Sequence, residues 1–256
     1  MPGARRVKPD EELTLVEHLD ELRSRIIIVL AVLAVAVAVC FYESGAILEF
    51  SRNALPTRLH DTKFIQLSPL DAIMTSISIG IYGGLLLTLP IATYQLYAFI
   101  VPAFSEEHHR HLRPLILMIP ALFVAGVVFG WYLVCPPAMA FLFNWNQDQF
   151  NVQLRAGDYI QFIMLTLVAM GLVFEMPAVM LVLARLRIVS SAFMRRNWRI
   201  SIVVLAVVAM LLPGVDPISF VVEFIPLLAL YGLSYFIVVA VERGRPEEEP
   251  DAAPLT

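Results

Sequence analysis

The chain has 256 residues, of which 59% are hydrophobic and only 16% charged, against about a quarter charged in an ordinary soluble domain. A net charge of −4, with no basic stripe interleaved with aromatics, gives no nucleic-acid signal. The two cysteines, Cys40 and Cys135, show neither metal spacing nor a CxxC pair; they read as small apolar filler at the ends of spans, with a mutual disulfide as the minority reading.

The charge deficit is spatially organised. No charged residue falls between 26 and 41 or between 115 and 147, and about 18 apolar residues suffice to cross the roughly 30 Å hydrocarbon core as a helix. Residues 1–11 are polar and proline-bearing, hence loose. Residues 13–25 read as an amphipathic surface helix, with Leu15, Leu19 and Leu22 at helical spacing and a Thr14/Glu17 capping-box pattern. The first apolar run is longer than a signal h-region and lacks a small-residue cleavage site, so it reads as a retained first span, 26–42.

A polar loop, 43–68, follows, and Ser68-Pro69 with Asp71 suits a helix start. The second span, 70–99, carries Gly83-Gly84 and Pro90, whose missing N–H predicts a kink. Residues 102–114 read as a charged loop, 115–134 as the third span, and Pro136-Pro137 with the polar run to Asp158 as a second loop. The fourth span is 159–184 and a basic connector runs over 185–199. The last two spans, 200–212 and 217–239, flank the turn at 212–217. The fifth is short: 13 residues rise only about 20 Å, which thins the bilayer locally or sinks the turn below its surface. The acidic tail that includes Glu247, Glu248 and Glu249 reads as disordered.

Fourteen of the 18 Lys and Arg fall on one side of this topology and four, Arg52, Arg58, Lys63 and Arg155, on the other. The positive-inside rule then puts both termini in the cytoplasm and requires an even number of spans, six. The expected organisation is one membrane domain over 1–256: a cytoplasmic segment 1–25, a bundle 26–241 and a cytoplasmic tail 242–256.

Glu175 is the most informative residue. It lies about ten residues inside the fourth span, roughly 15 Å from the inner boundary, where a carboxylate costs a few kcal/mol, on the order of 3, to insert. It must be protonated, paired or facing water, or else be a satisfied structural group beside Pro177. Glu223 in the sixth span is the second intramembrane carboxylate; Gln95 and Gln161 lie nearer span ends and tell less. At the amino-terminal surface Glu17, Asp20 and Glu21 crowd one helix. That is either an ordinary solvated face or a docking site for a cationic peptide, since carboxylates take guanidinium by paired charge-assisted hydrogen bonds. Arg5-Arg6 reads as a positive-inside flank, and the histidines 108, 109 and 111 lack metal-site spacing. No nucleophile elbow, phosphate-cradling loop or HExxH is present, so nothing argues for an enzyme.

Taken in order, several stretches resemble the TatC family of twin-arginine protein translocases. Glu-His-Leu-Asp-Glu-Leu-Arg-Ser-Arg at 17–25 resembles its His-Leu-x-Glu-Leu-Arg motif, and Ser-Pro-Leu at 68–70 the opening of its second span. Leu-Pro-Ile-Ala-Thr-Tyr-Gln-Leu-Tyr-Ala-Phe-Ile-Val-Pro-Ala-Phe at 89–104 is similar to its most recognisable stretch. Phe-Glu-Met-Pro at 174–177 and Met-Leu-Leu-Pro-Gly-Val-Asp-Pro at 210–217 resemble its fourth-span signature and its outer turn. The resemblance covers about 13–240.

It implies an all-α, six-span, kinked and cup-shaped bundle in the bacterial cytoplasmic membrane. It also implies a subunit that binds twin-arginine signal peptides of folded precursors for export driven by the proton motive force. No cofactor is implied; TatA-type and TatB-type single-span partners and a homo-oligomeric assembly are. By the same resemblance Glu21 is the signal-binding glutamate, with Arg23 its motif neighbour. The family's second carboxylate falls at His108 by ungapped spacing, so Glu107, one residue away, substitutes, with Glu106 two away. Glu175 corresponds to the family's intramembrane glutamate and Asp216 to its turn aspartate. Phe220 stands where many relatives carry glutamine, and Glu223, three residues on, is the replacement on that face. The competing class is a proton-coupled small-solute transporter, which intramembrane carboxylates and broken helices also suit; unequal spans and the absence of repeated halves weigh against it.

Overall fold

A computed structural model of the chain describes residues 15–60, 62–100, 106–145, 153–213 and 217–243. Its long elements are all helical. Helix α1 spans Leu15–Tyr42, α2 Ser44–Ser51, α3 Asp71–Ile100, α4 Glu106–Phe129 and α5 Cys135–Asn144. Next come α6 at Ala156–Phe174, α7 at Met176–Arg185, α8 at Ser191–Arg196, α9 at Trp198–Leu211 and α10 at Pro217–Arg243. Among the described residues no strand forms, and Ile65 and Arg155 make one isolated parallel bridge. Five helical stretches of the described residues are long and apolar enough to cross a membrane, and α9 is a shorter sixth. At 14 residues α9 rises about 21 Å, as expected of the short fifth span.

Several boundaries differ from the sequence expectation. The surface helix and first span are one continuous helix, because no Gly or Pro interrupts 15–42 and propagation costs less than a new nucleus. The charged loop becomes helix from Glu106 onward; two glutamates in a first turn complement the helix dipole. Pro136-Pro137 does not open a loop either. A π-helical turn, Gly130–Val134, re-phases the backbone, and the two prolines occupy the first turn of α5, where their missing N–H groups are not needed. Helix α10 also runs past 241: Glu242 accepts hydrogen bonds from the Ser191 backbone N–H at 2.8 Å and from its hydroxyl. The tail expected from 242 therefore begins two residues later at the earliest. Residues 1–14, Thr14 of the capping box among them, lie outside the described residues, as do Asp216 and 244–256.

Helix α1 packs on α3, α3 and α4 on α6, and α10 on α7 and α9. Much of the apolar surface faces outward: Ile27, Leu30, Val35, Val203, Val207 and Phe236 are exposed. In water this would be an aggregation surface; on a membrane protein it is the face the lipid covers. Cys40 and Cys135 are buried and free, as small packing residues.

The α1–α3 seam depends on Gly84. A Cβ there would lie 2.5 Å from Val37 Cγ2 and 2.9 Å from Val37 Cα and N. The last two atoms are backbone, so relief requires the helices to separate. Gly84→Ala should destabilise the protein by about 1–3 kcal/mol, read as a lower thermal midpoint in detergent. An unchanged midpoint would show that α1 is not held at this distance.

Candidate functional site

At the end of the bundle carrying the N-terminus, α1 lies against the last turns of α3. His18 stacks on Phe99 with ring centroids 4.2 Å apart and planes at 16°. One helical turn further along α1, Glu21 and Arg25 share a face. The Arg25 guanidinium donates to Glu21 Oε1 from Nε at 3.1 Å and from Nη2 at 2.5 Å. It also reaches across to α3, where Nη1 donates to Gln95 Oε1 at 2.9 Å and Nη2 to the Ala98 carbonyl at 3.1 Å. Glu21 and Arg25 are part-buried, with side chains 28% and 22% exposed. Glu21 thus sits in a fixed cluster tied to two helices, open to solvent on one side. Arg23 is exposed, and no hydrogen bond or ion pair ties it into this cluster. Glu106 and Glu107 open α4; their side chains lie outside the described residues.

In the interior, Glu175 is the single residue between α6 and α7. Its N–H donates to the Leu172 carbonyl at 3.1 Å, and its own carbonyl accepts from Val179 N–H at 3.0 Å. Pro177, in the first turn of α7, has no N–H to continue the α6 ladder, so the junction forms here. The side chain is 4% exposed, and neither carboxylate oxygen has a hydrogen-bond partner among the described residues. Tyr97, buried on α3, lies within electrostatic reach. Pro90 is accommodated within α3, where the Thr93 hydroxyl donates back to the Leu89 carbonyl at 2.9 Å.

Glu223 is fully buried on α10 and near Cys135 of α5. Phe220 instead stacks on Phe224, 5.4 Å between centroids, within a cluster that includes Leu205 and Ala209 of α9. The carboxylate and the phenyl ring therefore meet different neighbours, although three residues separate them on one helix.

The far end of the bundle is closed by a different set of groups. Asp71 accepts from Leu67 N–H at 2.8 Å and Ser68 N–H at 3.1 Å, and pairs with Arg155 at 2.8 Å. Asp71 raises the pKa of Arg155, first through that hydrogen bond. The Tyr159 hydroxyl donates to the Ser51 carbonyl, and Arg52 lies 4.4 Å above the Phe64 ring. These bonds fasten the 43–68 segment to the starts of α3 and α6.

Sequence reasoning singled out Glu21, Gln95 and Glu175 separately. It missed Arg25, counted only as a flanking positive charge, although Glu21 and Arg25 stand at the i,i+4 spacing of a helical ion pair. No sequence signal pairs Asp71 with Arg155, 84 positions away.

An apolar helical bundle with an acid–guanidinium–amide cluster at one end and carboxylates in its interior defines a polytopic membrane protein. The profile of the family described as Sec-independent protein translocase protein (TatC) matches residues 17–226, and the chain belongs to that family. It is 31% identical over 236 residues to the uncharacterized tatC-like protein ycf43 of Gracilaria tenuistipitata var. liui, covering 91% of this chain and 97% of that one. It is 33% identical over 214 residues to the Sec-independent protein translocase protein TatC of Synechocystis sp., covering 83% of each. A crystal structure of the twin arginine translocase receptor TatC superposes with a TM-score of 0.77 at 30% identity, over 89% of this chain and 100% of that one.

Proposed function

We propose that this chain is the signal-peptide receptor of a twin-arginine translocase. The observation that carries this reading is the family match over 17–226, a range that contains the Glu21 cluster and Glu175. In the proposed cycle Glu21, together with Glu107 and Glu106 of α4, binds the two arginines of the leader. Paired carboxylates suit that ligand, because each guanidinium fork takes two oxygens. The apolar segment of the leader then enters the bundle past Glu175, whose unbonded carboxyl offers a polar contact at mid-depth.

Single-span TatA-type and TatB-type subunits would join at α9 and α10, where short α9 thins the bilayer around them. Copies of this chain would assemble side by side in the complex. Both termini face the cytoplasm of a bacterial inner membrane, by the distribution of Lys and Arg, and the proton motive force drives export without a nucleotide or cofactor on this subunit. The small-solute transporter reading is not favoured, since the matched family is a protein translocase.

The test is export of a folded reporter in cells lacking their own TatC, complemented by this chain and supplied with the partner subunits. Reporter should appear outside the membrane with a twin-arginine leader and stay inside with twin lysine. Equal export of both would overturn the assignment.

A further inference from the structure

Arg25 presents the empty receptor with an arginine of its own. Its guanidinium takes only Oε1 of Glu21, through two donors, and not the two-oxygen fork that a carboxylate offers a free guanidinium. Its other contacts, Gln95 Oε1 at 2.9 Å and the Ala98 carbonyl at 3.1 Å, lie on α3 and do not involve Glu21. If Glu21 is taken by another cation, Arg25 therefore keeps a neutral side-chain acceptor and a backbone acceptor in place.

We propose that Arg25 is a resident guanidinium, an autoinhibitory contact that occupies Glu21 until a leader arginine takes the carboxylate and leaves Arg25 on Gln95 and Ala98. The inference rests on the reading of Glu21 as the arginine-binding carboxylate. The exchange trades one arginine–carboxylate contact for another, so only a ligand that pairs with Glu21 better than Arg25 does gains from it. A leader arginine can use both oxygens. A lysine is a point charge with no fork and cannot match the resident. Releasing Arg25 from Glu21 costs the same whichever ligand arrives, so Arg25 weakens arginine and lysine binding by a common factor and leaves their intrinsic preference unchanged, while Gln95 and the Ala98 carbonyl hold the released guanidinium.

The experiment is equilibrium anisotropy of a fluorescein-labelled twin-arginine leader peptide, and of its twin-lysine counterpart, on the full chain in lipid nanodiscs. Arg25→Gln should tighten arginine-peptide and lysine-peptide binding by a common factor of about threefold to tenfold, each tenfold corresponding to about 1.4 kcal/mol. The preference for arginine is therefore unchanged. Arg25→Lys keeps the charge and stem without the fork and should tighten both peptides by a smaller common factor.

The proposal is overturned if removing Arg25 weakens or leaves unchanged the binding of both peptides. Either result makes Arg25 a strut between α1 and α3. Glu21→Gln in the same assay separates the two ideas. If it does not weaken the arginine peptide, the site reading itself fails; if it does while the Arg25 variants behave as struts, only the exchange fails.

Discussion

Changing Glu21 to glutamine lowers affinity for a twin-arginine leader by about 10- to 100-fold, the equivalent of the roughly 1.5–3 kcal/mol that a hydrogen bond to a charged group contributes. The substitution keeps size and shape and removes only the charge. Its effect on the fold is small by comparison. The Glu21–Arg25 pair is partly exposed and lies one turn apart on the same helix, a class of ion pair worth about 0.3–0.5 kcal/mol. Arg25 also retains its two acceptors on α3. Binding and stability should thus separate: a large loss in peptide anisotropy, with the thermal midpoint nearly unmoved. Glu21→Asp should lose less than the glutamine variant, since it keeps the charge but draws the carboxylate back from the position it holds beside Arg25. Wild-type affinity in the glutamine variant would remove Glu21 from the arginine site.

What the sequence made legible follows from how strongly each feature is written into composition. The interiors of the long apolar runs are helix throughout, because no alternative satisfies their backbone in lipid. Glu175 stood out for the same reason: a charge amid apolar neighbours is conspicuous, and it lies buried where the pattern put it. Junctions were harder. The continuity of α1 across Arg25 and the helical start at Glu106 both turn on polar residues that suit a helix as well as a loop. Pro136-Pro137 reads as a break from sequence, yet the π-turn before it places the prolines at the one position where a helix accepts them. The far-end clasp of Asp71 and Arg155 joins residues 84 positions apart, and no local pattern announces it. The Glu21 cluster was half legible: the motif marked the carboxylate, but only the crossing of α1 over α3 brings Gln95 and the Ala98 carbonyl to its arginine.

Glu175→Leu should stabilise the empty protein and impair export. The carboxyl is 4% exposed with both oxygens unbonded, and leaving buried polar atoms unsatisfied costs about 1–3 kcal/mol. Leucine has similar bulk and removes that cost. The helix junction survives the change, because it is made by the backbone bonds to Leu172 and Val179 and by Pro177, none of which uses the side chain. The thermal midpoint in detergent should therefore rise by a few degrees, while export of a folded twin-arginine reporter falls severalfold. Such an opposition is what a site kept for function at the expense of stability produces. Glu175→Gln then asks what the carboxyl supplies. Retained export with glutamine means that a polar contact at mid-depth suffices, and lost export means that the group must ionise. A lower midpoint for Glu175→Leu would contradict the account, since it would show that the carboxyl is satisfied by partners that hold the bundle together.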